Sequence, residues 1–248
     1  MYVGPKITEF LTRAVQVDSE ADVKDLVAEM GFQLGFPRFA LVSHVDLLKE
    51  TSGVVAISNY PEGWIDRIFA QRYYLDDPLH AASTKTRIGF AWHDVPRMIA
   101  LTRRQSGILG EAADFGLNDG ITVPVHSPGE YRGTCSFGGK ELVVLSPQVR
   151  AAVQLIAVFS FEAARRIIYA RSDQSRPAVP SLSPRHVDCV GLVASGLGDT
   201  QIAAMLGLSE DTVHQHVSEA MRRYGVFKRT ALVFRALFDG QICFYKGR

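Results

Sequence analysis

Apolar residues recur along the first 174 positions with two different periods. Spacings of three and four, which set side chains along one side of a helix, predict helices near residues 5–16, 20–35, 61–73, 77–87, 102–115 and 146–171. Alternating or continuous apolar runs predict strands near 38–46 (RFALVSHVD), 52–59 (SGVVAISN), 88–92, 120–127 (GITVPVHS) and 132–138. Hairpin-like returns outnumber βαβ spacings, so the expected fold is α+β, an α-β-α sandwich on an antiparallel sheet. The helix at 146–171 opens with Ser146-Pro147, a cap followed by proline at the first helical position. It is apolar on two sides. Val149, Ala152, Val153, Ile156, Ala163 and Ile167 line one, and Ala151, Leu155, Val158, Phe159 and Tyr169 occupy much of the other. One side suffices for a domain core. The second implies either burial deep in a large domain or, in a regulator, the same helix of a second subunit.

Further on, two short helices lie around a tight break. Asp199 to Leu206 is apolar at Ile202, Ala203 and Leu206, and Gly207-Leu208-Ser209 then turns the chain, with glycine free to turn and Ser209 suited to cap the second helix. That helix, about Glu210 to Tyr224, carries Val213, Val217, Ala220, Met221 and Tyr224 on its inward side. At about 100° per residue, His214, Gln215, Ser218 and Arg222 fall opposite, flanked by Thr212, His216 and Arg223. These seven are the candidate contacts to base edges and phosphates. Glu210 and Asp211 complement the helix dipole but would repel a phosphate brought close. By itself such a helix is an ordinary amphipathic one with a solvated face.

Composition sharpens this division. At 248 residues and 47% hydrophobic, the chain can hold one sizeable core and one small one. The stretch RSDQSRPAVPS, residues 171–181, is polar with two prolines and separates them. The expected domains are 1–172 and a small all-α unit at 182–248, joined by a linker at 173–181. Residues 1–174 carry 18 Lys+Arg against 20 Asp+Glu, and the remainder 9 against 6. The small domain is therefore the basic one, as phosphate contact requires. No apolar run reaches eighteen residues and no leader pattern opens the chain, so a cytoplasmic location without a membrane span is expected. Cys135, Cys189 and Cys243 suit free thiols. GxSxG, GxxxxGK[ST] and HExxH are missing, and His214 and His216 point about 200° apart, which argues against an enzyme and a metal site. A phosphorylation-driven receiver would need acids at successive strand ends; Asp76-Asp77 stands before a proline among aromatics instead.

The residues LSPR, VASG, IAAMLGLSEDTVHQHV and RTA, within Leu182 to Ala231, resemble the LuxR-type helix-turn-helix of quorum-sensing receptors and many response regulators. The family usually has Glu where His186 stands and often Leu where Val190 stands. A second resemblance lies upstream, where Tyr60, Trp64, Tyr73, Tyr74, Asp77 and Trp92 could wall a small-molecule pocket. NYPEGW, DDP thirteen residues after Trp64, AW fifteen residues after Asp77, and NDGITVPVH look like the acyl-homoserine-lactone-binding domain of LuxR-type receptors. Taken singly, Asp77 before Pro78 is an N-cap pattern and a tryptophan a core residue.

The resemblance implies that Trp64 donates to a lactone carbonyl, Asp77 accepts from the ligand amide, and Tyr60 bonds the acyl carbonyl with help from Ser136. Trp92 is then an apolar wall and Gly120 a structural turn residue. Ile68 stands where the family usually has Tyr, which implies a branched or aromatic acyl group over a 3-oxo chain. The implied protein is a homodimer that binds an N-acyl homoserine lactone as signal, with no cofactor, and inverted-repeat promoter DNA, with RNA polymerase as a further partner. The alternative is an orphan regulator tuned to another small molecule or to none.

Overall fold

The computed structural model describes residues 4–48, 53–126, 131–171 and 179–243. These fall into two compact units, residues 4–171 and 179–243. Residues 172–178, most of the expected linker, lie outside the described residues.

In the larger unit, β1 (Arg38–Ser43), β2 (Ala56–Ser58), β3 (Phe90–Ala91), β4 (Asp119–Val125) and β5 (Gly133–Gly139) form an antiparallel sheet ordered β2-β1-β5-β4-β3. The strands at 52–59 and 88–92 are shorter than their apolar runs because only three and two residues find partners. One face, with Phe39, Leu41, Ile57, Ile121, Val123, Cys135 and Phe137, packs on α1 (Gly4–Gln16), α2 (Glu20–Gln33) and α7 (Pro147–Arg171) to make the main core. The other face meets α3 (Glu62–Gln71), α4 (Pro78–Ser83), α5 (Val95–Met98) and α6 (Arg103–Asp114). This is the expected α-β-α sandwich. The helix expected at 77–87 ends at Ser83, and short helical turns at Tyr73–Leu75, Trp92–Asp94 and α5 were not signalled by periodicity.

The two sides of α7 behave differently. Ala152, Val153, Ile156, Ala163 and Ile167 are buried, while Ala151, Leu155 and Val158 form an exposed apolar stripe. Phe159, expected on the outer side, packs against the core, and the Tyr169 ring covers Gly53. Gly120 also differs from expectation. It lies inside β4, not at a turn, and a Cβ there would run into Phe137 O and come within 2.8 Å of the Trp92 ring.

The smaller unit contains α8 (Pro184–Ala194), α9 (Asp199–Leu206), α10 (Glu210–Arg223) and α11 (Arg229–Phe238) around Cys189, Val190, Ile202, Val213, Val217, Ala220, Tyr224 and Leu232. The α9–α10 break is built as its residues predict. Gly207 takes a φ of 65°, and the Ser209 side chain accepts from Thr212 N at 3.1 Å. At α8, His186 caps the helix in place of the family's usual carboxylate. Its Nδ1 accepts from Ser183 N at 3.2 Å, and its own backbone N–H donates to Ser183 Oγ.

Candidate ligand cavity and nucleic-acid interface

Alternation along the strands creates the first site. Ala40, Val42, Ala56, Ser58, Thr134 and Ser136 point away from the main core, and across a cavity of about 480 Å³ they face α3, α4 and α6. That size suits a drug-sized ligand. Small side chains on the floor leave the room that Phe39, Leu41 and Phe137 fill on the opposite face.

Helix α3 brings Trp64 and Ile68 to the wall one turn apart. Trp64 is buried, its ring packed on Tyr73 and Phe115, and its Nε1 has no hydrogen-bond acceptor among the described residues. Asp77 caps α4, Oδ1 accepting from Leu79 N at 2.7 Å, and Oδ2 lies 3.7 Å from His80 Nε2. The same carboxylate lines the cavity, so the cap and pocket readings of Asp77 coexist. Burial pushes the Tyr60 phenol well above its ordinary pKa, the Asp77 charge adding to it while a bond with Ser136 opposes. Tyr60 therefore stays a neutral donor at any physiological pH. Trp92 lies over Gly120 and Gly138, and its Nε1 donates to Thr122 Oγ1 at 2.9 Å, which pairs in turn with Ser136 Oγ at 2.9 Å. The indole N–H is thus spent inside the sheet, and the ring presents an apolar surface.

The second site is the outward side of α10. His214, Gln215, Ser218 and Arg222 are exposed together. Thr212 and His216 are half-buried: the Thr212 hydroxyl meets Ser209 Oγ at 2.7 Å, and the His216 ring packs edge-on against His186 at 5.5 Å. Glu219 holds Arg222 at 2.8 Å and Arg223 at 3.0 Å, and Arg223 also donates to Ser181 O at 2.6 Å. Below the helix, Asp199 receives a two-pronged bond from Arg229 at 2.5 and 2.6 Å and lies 3.5 Å from His214 Nδ1. The Arg229 hydrogen bond, with His214 adding, holds the Asp199 carboxyl below the usual range. One carboxylate thereby joins α9, α10 and α11.

An autoinducer-binding domain model matches residues 19–164, and the model of bacterial regulatory proteins of the luxR family matches residues 180–236. The chain belongs to the LuxR family of transcription regulators. RpaR of Rhodopseudomonas palustris, an HTH-type quorum sensing-dependent transcriptional regulator, is 27% identical over 245 residues, 96% of each chain. The transcriptional activator AhyR of Aeromonas hydrophila is 24% identical over 243 residues, 95% of this chain and 91% of its own. SdiA, solved in complex with octanoyl-rac-glycerol, shares the fold with a TM-score of 0.65 and 20% identity over 96% of both chains. The family is one of transcription regulators, not enzymes, and the chain carries its autoinducer-binding and DNA-binding domains.

In this LuxR-family chain the six expected ligand residues, Tyr60, Trp64, Ile68, Asp77, Trp92 and Ser136, all line the one cavity. The seven expected DNA residues lie on α10: Thr212 and His216 are half-buried, and of the five exposed ones Arg222 and Arg223 are held by Glu219 and His214 lies near Asp199. Sequence reasoning missed Ser58, His80 and Thr134 in the cavity, and Asp199 and Arg229 beneath α10. The cavity three sit in no motif. Arg229 opens the RTA motif, but its pairing with Asp199, thirty residues away, has no local pattern to mark it. No described helix is long and apolar enough to cross a membrane.

Proposed function

We propose that this LuxR-family protein is a cytoplasmic receptor for an N-acyl homoserine lactone that binds inverted-repeat promoter DNA as a homodimer. Residues 1–172 bind ligand and dimerise, 173–181 link, and 182–248 contact DNA. One observation carries the reading: a free indole donor, Trp64 Nε1, and a carboxylate acceptor, Asp77, share one wall of a largely apolar cavity. A lactone carbonyl and an amide N–H complement that pair, with Tyr60 and Ser136 left for the acyl carbonyl. Ile68 gives the acyl group an apolar neighbour, which favours a branched or aromatic acyl group over a 3-oxo chain. The exposed stripe Ala151, Leu155 and Val158 supports dimerisation through α7. Two copies would set two α10 helices into successive major grooves, and an activator of this kind also meets RNA polymerase.

Ligand burial stabilises the folded receptor, by about 2.7 kcal/mol at a hundred times the dissociation constant. Purifying the full chain from cells fed candidate lactones, with mass spectrometry of the bound compound, tests the reading. A single retained lactone is expected. Recovery of a different small molecule, or soluble ligand-free dimers binding DNA unaided, would replace it with the orphan reading. A non-lactone acyl compound, the kind SdiA holds in its octanoyl-rac-glycerol complex, is the natural second candidate.

A further inference from the structure

The cavity carries more polar groups than a lactone and an amide require. Trp64, Asp77, Tyr60 and Ser136 serve that headgroup, and Trp92 closes the same end above Gly120 and Gly138. Along β5, away from Trp92, the next residue on the cavity face is Thr134, about 7 Å beyond Ser136. Its hydroxyl is 3.1 Å from His44 Nε2, and the His44 ring stacks on His80 with centroids 3.8 Å apart. His80 lines the cavity one helical turn past Asp77, with Nδ1 buried and unpartnered.

Across the sheet, Ser58 stands opposite Ala40, which stands opposite Ser136. Two strand spacings put it roughly 10 Å from Ser136. Ser58 also lines the cavity, and its hydroxyl has no partner among the described residues. Between these groups the floor is Ala40, Ala56 and Val42, wide enough for a tail to lie flat.

Thr134 already has His44 as its partner and the Nδ1 of His80 is closed off from the cavity, so the unmet group is Ser58: an alkyl chain laid over it would strip its hydration and return no hydrogen bond, a net cost. A ligand oxygen at the same place recovers it. We propose that the acyl tail of the signal carries a hydroxyl about 10 Å from its amide carbonyl, recognised by Ser58. The proposal rests on the lactone reading and adds the chemical class of the tail. Recognition comes from β2, while Ile68 on α3 supplies an apolar side to the same chain.

The test titrates the full chain with hexanoyl, 6-hydroxyhexanoyl, octanoyl and 8-hydroxyoctanoyl homoserine lactones by calorimetry. 8-Hydroxyoctanoyl homoserine lactone, whose extended tail reaches about 10 Å, should bind about tenfold tighter than its parent, the effect of leaving one buried hydroxyl site paired instead of unpaired, and the shorter hydroxylated compound should gain less. In Ser58→Ala that advantage should shrink below about twofold. An octanoyl parent that matches its hydroxylated form on the wild-type chain would overturn the proposal, as would a preference that survives the substitution. If the variant does not fold, the wild-type series decides alone. Failure of all four to bind also overturns the tail proposal, and a branched and an aryl homoserine lactone titrated in parallel then decide the lactone reading, which falls if they too fail to bind.

Discussion

The two units direct their polar side chains in opposite senses. In the larger unit, Tyr60, Trp64, Asp77, Thr134 and Ser136 point inward, to a cavity between sheet and helices, where each hydroxyl and carboxylate has lost much of its water. In the smaller one, His214, Gln215, Ser218 and Arg222 point outward and are solvated, and the core beneath them is a handful of aliphatic residues. An inward site leaves hydrogen-bonding capacity that a ligand can satisfy, so folding and ligand binding are linked. An outward site costs the fold little and can wait for its partner. The contrast suits a sensor and an output: a bound ligand would add to the stability of the larger unit, and the smaller one presents its site with or without it.

The contrast breaks most severely where the inward unit has no slack. Gly120→Ala should destabilise the larger unit by about 3 kcal/mol or more, because the new methyl meets a backbone carbonyl and the Trp92 ring. Urea unfolding should show the loss in that unit while α8–α11 unfold as before.

Next in size is the double duty of Asp77. Asparagine still caps a helix, so Asp77→Asn should keep the unliganded stability but weaken ligand binding about tenfold or more. Asp77→Ala should lose binding and also about 1 kcal/mol of stability. Calorimetry together with thermal melts of both variants separates the two roles.

In the outward unit the vulnerable point is hidden beneath the surface. Arg229→Ala leaves a carboxylate whose side chain is only 13% exposed without its partner and should cost about 1–2 kcal/mol. It should lower DNA affinity for all sequences alike in a binding assay, whereas Arg222→Ala should alter sequence preference.

Acid should touch the inward unit through His44. Burial, then the neighbouring His80 and His126, brings its pKa from 6.5 down to about 2. Between those values the unfolded chain holds a proton that the folded chain refuses, so the stabilisation is present above pH 6.5 and is lost as pH falls toward 2. The loss is at most about 1.4 kcal/mol per pH unit, and His44→Gln should flatten it in denaturation curves recorded from pH 7 to 5.

The smallest effect concerns α8. His186→Glu should restore a carboxylate cap with little change, while His186→Ala should cost about 0.5–1 kcal/mol and speed hydrogen exchange at Ser183.

These outcomes bear unequally on what could be inferred beforehand. The α9–turn–α10 unit was legible because its determinants are adjacent: Gly207 for the left-handed turn, Ser209 for the cap, and Val213, Val217 and Ala220 for the inward side. Trp64, Asp77 and Trp92 were legible only as a family resemblance, since neither composition nor periodicity distinguishes a pocket tryptophan from a core one. Gly120 was misjudged. Its need to be glycine comes from the Trp92 ring and from β5, neither of which is local to it.

Periodicity determined the longer helices of the first unit, the strand runs and the polar side of α10, and composition marked the linker between two units, because each depends on residues close along the chain. Only the tertiary structure decided which alternate strand residues face a cavity and which a core, that Ser58, Thr134 and His80 join Asp77 in one site, and that Arg229 holds Asp199 beneath α10. The physical reason is reach. A helix period or a cap is settled over distances the local backbone spans, whereas a cavity is the space left where separate layers fail to touch, and no single stretch of chain carries the dimensions of that gap.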